Sequence, residues 1–300
     1  MTLTRRKFIQ VVGAGAALAG IGAQVAPPSL VPAPQAEPAE RNWNYSVLFD
    51  ANRCIGCKLC QITCKKVNNL PPENDVTSLS ATTLTFIDFK NISAKMDKPT
   101  IKPVKKQCMH CQDPACVSVC PVGALTKKEN GVVAYDPHRC IGCRYCITAC
   151  PFEIPKYNWD SAEPKINKCA AQCLDDGTRD QPACVQVCPV QALQYGNRNQ
   201  LLALAHDRID QNRGKYVGTV YGEKEVGGTS WLYLSGVPFE KLGFRTDLPT
   251  TPLPRYTLNV MERVPWLIGG IIGLLTGITW WTHRPESKPL VEAPVPVINK

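Results

Sequence analysis

The sequence predicts an α+β protein with an internally duplicated, cysteine-rich core, an N-terminal signal helix and a single C-terminal transmembrane helix. Three observations carry that prediction: sixteen cysteines in 300 residues fall into four groups of four, the text around those groups repeats, and an apolar run lies near each end. At 44% apolar and 20% charged residues the composition is that of a globular chain rather than a disordered one.

At the N-terminus, Thr4-Arg5-Arg6-Lys7-Phe8-Ile9-Gln10 places two adjacent arginines before a Gly/Ala-rich apolar run from Val11 to Val25. This is the layout of a twin-arginine signal peptide. The alternative is a basic start to an ordinary helix, but the run is short and gives way to Pro-rich Ala26 to Pro38. Residues 1–36 are therefore set apart as signal and linker. The twin-arginine route exports folded proteins, as cofactor assembly in the cytoplasm requires.

The cysteine groups come next. Cys54, Cys57, Cys60 and Cys64 follow Cys-x2-Cys-x2-Cys-x3-Cys, and Cys140, Cys143, Cys146 and Cys150 repeat it with Pro151 closing the run. That is the bacterial ferredoxin pattern. Two-residue gaps in a tight loop let three thiolates converge on one [4Fe-4S] cubane, and the fourth, on the helix that follows, points to a neighbouring cluster. Cys108, Cys111, Cys116, Cys120 and Pro121 lengthen the middle gap; Cys169, Cys173, Cys184, Cys188 and Pro189 lengthen it further. No cysteine is left over, so four [4Fe-4S] clusters are expected. Zinc ribbons also use Cys-x2-Cys pairs, but they give no reason for Cys-x3-Cys-Pro endings. Cysteines three apart on one turn seldom have bridging geometry, which argues against disulfides.

The repeats reach beyond the ligands. Pro114-Ala115-Cys116-Val117-Ser118-Val119-Cys120-Pro121-Val122 is echoed by Pro182-Ala183-Cys184-Val185-Gln186-Val187-Cys188-Pro189-Val190, and Arg53-Cys54-Ile55-Gly56-Cys57 by Arg139-Cys140-Ile141-Gly142-Cys143. The core over 45–200 thus reads as two 2[4Fe-4S] ferredoxin-like units. Leu84 to Phe89 and Val132 to Tyr135 are expected as strands, and the segments after the cysteines as short helices. In the extension over 201–258, Asn199 to Gly214 reads as a capped surface helix that enters it, and Thr229 to Leu234 as a strand.

The formal charge of +9 counts every cysteine as neutral. Four thiolates around a cubane leave roughly −2 per oxidised site, which brings the loaded protein to about +1. The basic excess then compensates buried cluster charge, and nucleic acid is not expected as a partner. Lys58, Lys65, Lys66, Lys105, Lys106, Arg144 and Lys168 flank the ligands and could raise cluster potentials, or simply be solvated. His110 reads as a hydrogen-bonding neighbour rather than a ligand. No Ser/His/Asp or paired-carboxylate constellation is present, so no catalytic residue is expected.

Near the C-terminus, Pro265 to Thr282 is free of charge and bordered by Trp266, Trp280 and Trp281. Eighteen helical residues span roughly 27 Å, enough for one crossing over 264–283; a soluble core helix is the alternative. Gly269, Gly273 and Gly277 recur every four residues and would let a partner helix approach, though glycine is common in membrane helices. His283 reads as interfacial filler more readily than as a proton carrier for quinone. The tail over 284–300 would lie in the cytoplasm if the body is outside, an orientation decided by the signal because Arg255 and Arg263 balance Arg284 and Lys288.

Gln107-Cys108-Met109-His110-Cys111-Gln112-Asp113-Pro114, with Cys150-Pro151 and Pro155-Lys156-Tyr157, resembles the four-cluster ferredoxin-like subunits of membrane-bound oxidoreductases, including formate dehydrogenase β and dimethyl-sulfoxide reductase B chains. The signal, Tyr221-Gly222-Glu223-Lys224-Glu225, Gly227-Gly228-Thr229, Gly236-Val237-Pro238 and the single C-terminal helix are most similar to the electron-transfer subunit of hydrogenase-2-type periplasmic [NiFe] hydrogenases. The resemblance implies a nested pairing: Cys54, Cys57, Cys60 and Cys188 for one cluster; Cys64, Cys169, Cys173 and Cys184 for its neighbour; Cys108, Cys111, Cys116 and Cys150, then Cys120, Cys140, Cys143 and Cys146, for the other pair. Spacing alone shows only that ligands are exchanged. Cys169-x3-Cys173 departs from the family's two-residue gap.

The resemblance further implies a non-catalytic relay on the periplasmic side of the inner membrane. It would connect [NiFe] hydrogenase large and small subunits with an integral-membrane quinone-reactive subunit packed on the Gly269, Gly273 and Gly277 face. A formate dehydrogenase or other molybdenum enzyme is the alternative partner. A self-contained iron-sulfur enzyme is the alternative of another class, and it would need an open iron or an ionisable pocket.

Overall fold

The computed structural model describes residues 46–283 apart from 74–75, 94–99, 162, 164 and 175–178. The expected signal segment and the tail after 283 lie outside the described residues.

The centre of the fold is β1 (Ser46–Asp50), buried at all five positions. It pairs antiparallel with β8 (Leu193–Gly196) and parallel with β9 (Trp231–Leu234), giving the order β8-β1-β9. Because side chains alternate along a strand, Val47 and Phe49 join Trp231, Tyr233 and Leu193 on one face, and Leu48 joins Leu232 and Leu234 on the other. The second face is covered by α5 (Arg198–Gln211) through Leu201 and Ala205. Its start is set by Asn197, whose side chain accepts the Asn199 amide. On the first face Tyr221, Tyr233, Phe239 and Phe244 interlock, with ring centroids 4.7 Å apart for Tyr221 and Phe244 and 4.8 Å for Tyr233 and Phe244.

Three two-stranded hairpins complete the sheets: β2 (Thr85–Asn91) with β3 (Ile101–Gln107), β4 (Leu125–Lys127) with β5 (Val133–Tyr135), and β6 (Lys156–Tyr157) with β7 (Ile166–Asn167). The cysteine groups lie on or beside short helices: α1 (Leu59–Val67), α2 (Ala115–Ser118), α3 (Tyr145–Ala149) and α4 (Ala183–Gln186). Helix α1 packs against α4, and α2 against α3. The first cysteine group is thereby seated beside the fourth, and the second beside the third.

The strands expected at 84–89, 132–135 and 229–234 correspond to β2, β5 and β9, and the expected surface helix to α5. Strand β9 comes from the C-terminal extension yet pairs with β1, so residues after 201 share the hydrophobic core with the first strand.

The described residues close with α6 (Leu253–Met261) and α7 (Val264–Thr282), the latter about 28 Å long at 1.5 Å per residue. No residue of α7 is buried. Leu253–Thr282 is the one span among the described residues that is long and apolar enough to cross a membrane. Pro265 sits at the start of α7, where its missing N–H breaks no bond within that helix. Open space lies beside Gly269, Gly273 and Gly277.

Candidate metal centres

The ligand loops are shaped by backbone conformations that side chains resist. Gly56 and Lys58 take φ of +72° and +61° around Cys57, and Gly142 and Arg144 take +68° and +63° around Cys143. The Gly56 amide thereby donates to Cys54, and the Gly142 amide to Cys140. A Cβ at Gly56 would lie 2.6 Å from Cε1 of Phe89. The second group turns at His110, φ +47°, and the fourth at Ala171, φ +54°. Ala171 occupies the widened Cys169-x3-Cys173 gap, its amide donates to Cys169, and a 3-10 turn at Gln172–Leu174 follows.

The sixteen thiols gather in four quartets, and the first, second and fourth surround hollows. Cys54, Cys57, Cys60 and Cys188 line the first. Cys64, Cys169, Cys173 and Cys184 line the second. Cys111, half-buried, has Cys150, Cys116 and Cys108 as its neighbouring thiols and marks the third quartet. Cys120, Cys140, Cys143 and Cys146 line the fourth. Successive quartets adjoin, since Cys184 is an electrostatic neighbour of Cys60, Cys169 of Cys108, and Cys116 of Cys146.

Burial pushes Cys54 and Cys146 up to about 11 and Cys184 up to about 12, and the other thiols of each quartet push the same way. A thiol that coordinates a metal is deprotonated outright, so iron would relieve this mutual repulsion. None of the sixteen cysteines is in a disulfide. Among the described residues no three His, Cys, Asp or Glu side chains stand close enough to hold a single metal ion. Four thiolates on one zinc would be only about 3.8 Å apart, given a Zn–S bond near 2.3 Å. A cubane spreads its four ligands over four corners and fits a quartet around a hollow. An orphan donor points the same way: Trp231 lines the second hollow, and its buried Nε1–H has no acceptor. Leaving such a donor unpaired costs about 1–3 kcal/mol, which a cluster sulfur would relieve.

Buried cations stand beside the thiols. Lys105 is 1% exposed; its Nζ donates to Thr85 Oγ1 and Gln107 Oε1 and sits 4.8 Å from the Trp231 ring centroid. Lys168, 3% exposed, donates to the carbonyls of Val133 and Cys169. Lys127 donates to the carbonyls of Cys111 and Gly131, both at 2.7 Å, and burial pushes its pKa down to about 8. The remaining flanking cations include several with structural partners. Lys65 donates to the carbonyls of Pro71 and Thr82 and pairs with Glu73 at 3.2 Å. Lys106 lies over Phe244, Lys58 over Phe89, and Arg144 over Tyr157 and Trp159. His110 is buried, and its Nδ1 accepts the Val133 amide at 3.0 Å. Sequence reasoning missed Lys127 and Trp231. Nothing in their local text marks them, because each reaches the thiols only through a strand pairing.

Residues 100–198 match a 4Fe-4S dicluster domain. Cysteine-lined hollows on ferredoxin-type loops, together with that match, define a [4Fe-4S] protein. The chain is 40% identical over 296 residues to a protein of Nitratidesulfovibrio vulgaris strain Hildenborough, spanning 95% of this chain and 78% of that protein. It is 35% identical over 286 residues to the hydrogenase-2 operon protein HybA of Escherichia coli O157:H7, spanning 82% and 84% of the two. It is 36% identical over 217 residues to the formate dehydrogenase-O iron-sulfur subunit of Escherichia coli K12, spanning 68% and 70%. The chain belongs to the iron-sulfur subunit family that includes HybA and the formate dehydrogenase iron-sulfur subunits.

Proposed function

We propose that the chain is a non-catalytic relay in which each cysteine quartet holds one [4Fe-4S] cluster, four in all, and that it conducts electrons between a hydrogenase and the membrane. The observation that carries this reading is the succession of four adjoining thiol quartets, three of them around hollows, on a scaffold related to HybA. When bound, each cluster supplies one-electron oxidation and reduction. The protein's own part is to hold sulfurs at fixed positions, direct amide N–H groups at them, exclude water from the inner quartets and place Lys105, Lys127 and Lys168 against their charge. The pairing of first with fourth and second with third cysteine groups fits a duplicated ferredoxin-like core over 45–200, closed by the 201–258 extension through β9.

The end quartets suit entry and exit. Cys57 and Cys143 are exposed. Apolar side chains ring them: Ile55, Leu59, Ile62 and Phe89 at one end, Ile141, Tyr145 and Val122 at the other. Helix α6, which leads into the candidate anchor, packs on α2 beside the third quartet. That contact favours the fourth quartet as the membrane-side end. In this reading the twin-arginine segment exports the folded chain, α7 anchors it on the periplasmic side, and the Gly269, Gly273 and Gly277 face receives a helix of the quinone-reactive subunit.

A formate dehydrogenase complex is the second reading, favoured by the 36% identity to its iron-sulfur subunit. Anaerobic purification of the native membrane complex, with nickel and molybdenum measured in the co-purifying subunits, separates the two. Nickel supports the hydrogenase relay, and molybdenum replaces it with the formate dehydrogenase one.

A further inference from the structure

We propose that Trp231 and Lys105 set the reduction potential of the cluster held by Cys64, Cys169, Cys173 and Cys184: the indole donates its N–H to a cluster sulfur, and the lysine supplies a fixed buried charge. This inference rests on the reading that the quartet holds a cluster.

Neither residue belongs to the cysteine motif it serves. Trp231 comes from β9, more than forty residues after the last cysteine, and reaches the hollow because β9 pairs with β1. Its ring is 1% exposed and forms part of the cysteine-lined wall. The indole N–H is enclosed there without a protein acceptor. Thr85, on the same wall, already accepts from Lys105. The sulfurs of this site are acceptors of the kind an indole N–H can use.

Lys105 is held under the indole by a closed set of hydrogen bonds. Its Nζ donates to Gln107 Oε1, Gln107 Nε2 donates to Tyr233 Oη, and Tyr233 Oη donates to the Lys105 carbonyl. No carboxylate pairs with Lys105 among the described residues. The charges it faces are sulfurs of two quartets, Cys64, Cys169 and Cys184 of the second and Cys60 of the first. Reduction adds one electron to a site that already carries roughly −2. A donated N–H and a buried cation both favour the more negative state, and so both raise the potential. The electron arrives from an adjoining cluster, and no bond forms or breaks.

The two residues therefore predict different signatures in an EPR-monitored redox titration of the purified complex. Trp231→Phe keeps the ring and removes the donor. It should lower one midpoint of four, cutting the reduced-to-oxidised ratio of that cluster at fixed potential about tenfold, or about 59 mV for one electron. Lys105→Met should lower two midpoints together, and Lys105→Arg should restore them. Pulsed EPR of the reduced protein exchanged into D2O supplies a readout that does not depend on the stability of the lysine variants. The exchangeable coupling of the indole proton should be present in the parent and absent from Trp231→Phe, while those of the Ala171 amide and the Asn68 side chain, which donate to Cys169 and Cys64, stay in both. Unmoved midpoints with iron and sulfide retained, or a set of exchangeable couplings identical in the parent and Trp231→Phe, would overturn the inference while leaving the relay intact. A parent protein lacking acid-labile sulfide would instead remove the underlying cluster assignment, and the inference with it.

Discussion

A tight ligand loop is decided by single atoms, and Gly56 shows how. Its φ of +72° costs a side-chain-bearing residue about 1–2 kcal/mol, and a methyl group there would also press on Phe89 at 2.6 Å. Gly56→Ala should therefore disturb the first quartet and spare the others, leaving about twelve irons per chain where four clusters would give about sixteen. Iron analysis of the purified variant checks this; a full complement with unchanged thermal stability would contradict it. Lys58 and Arg144 adopt the same left-handed conformation without being glycine. Each then lays its side chain on an aromatic ring, Phe89 for Lys58 and Tyr157 and Trp159 for Arg144, contacts that help offset the backbone cost. At this scale the sequence was readable where chemistry depends on spacing: the cysteines, the glycines between them and the prolines after them. It was silent on Trp231 and Lys127, whose importance arises from what the fold sets beside them.

Among the elements, the helices that carry ligands are too short to persist alone. Helices α2 and α4 have four residues each and α3 has five, far below the twelve or so that an isolated helix needs in water. In the proposed relay their order depends on the clusters that their cysteines would hold. Removing iron with a chelator under reducing conditions should strip hydrogen-exchange protection from α2, α3 and α4, while β1, β9 and α5, packed through Leu48, Leu232, Leu234 and Ala205, keep theirs. Uniform protection after iron removal would show that the helices stand on packing alone. Strand β1 was not foreseen from sequence, because its apolar run, Val47 to Phe49, is too short to show a period that separates strand from helix. The apolar helix α7 was foreseen because length and absence of charge suffice to mark it. Truncation before Leu253 removes α6 and α7 together and should release the protein from membranes without loss of iron. Retention of the truncated chain in carbonate-washed membranes would show that another element anchors it.

For the whole molecule, charge and burial answer each other. A formal +9 on the metal-free chain becomes about +1 once four sites of roughly −2 are added. Part of the positive charge is placed where the sequence alone would not put it, on Lys105 and Lys168 in the interior. The nested pairing of cysteine groups came to the sequence reading only through family resemblance, since spacing permits several exchanges. In the fold the pairing follows from α1 lying on α4 and α2 on α3. The most direct test of the central claim is the iron and acid-labile sulfide content of the anaerobically purified chain, with Mössbauer spectra of 57Fe-grown material. About sixteen irons and sixteen sulfides per chain are expected, all in [4Fe-4S] form; bound zinc without sulfide, or iron near eight per chain, would refute the four-cluster relay.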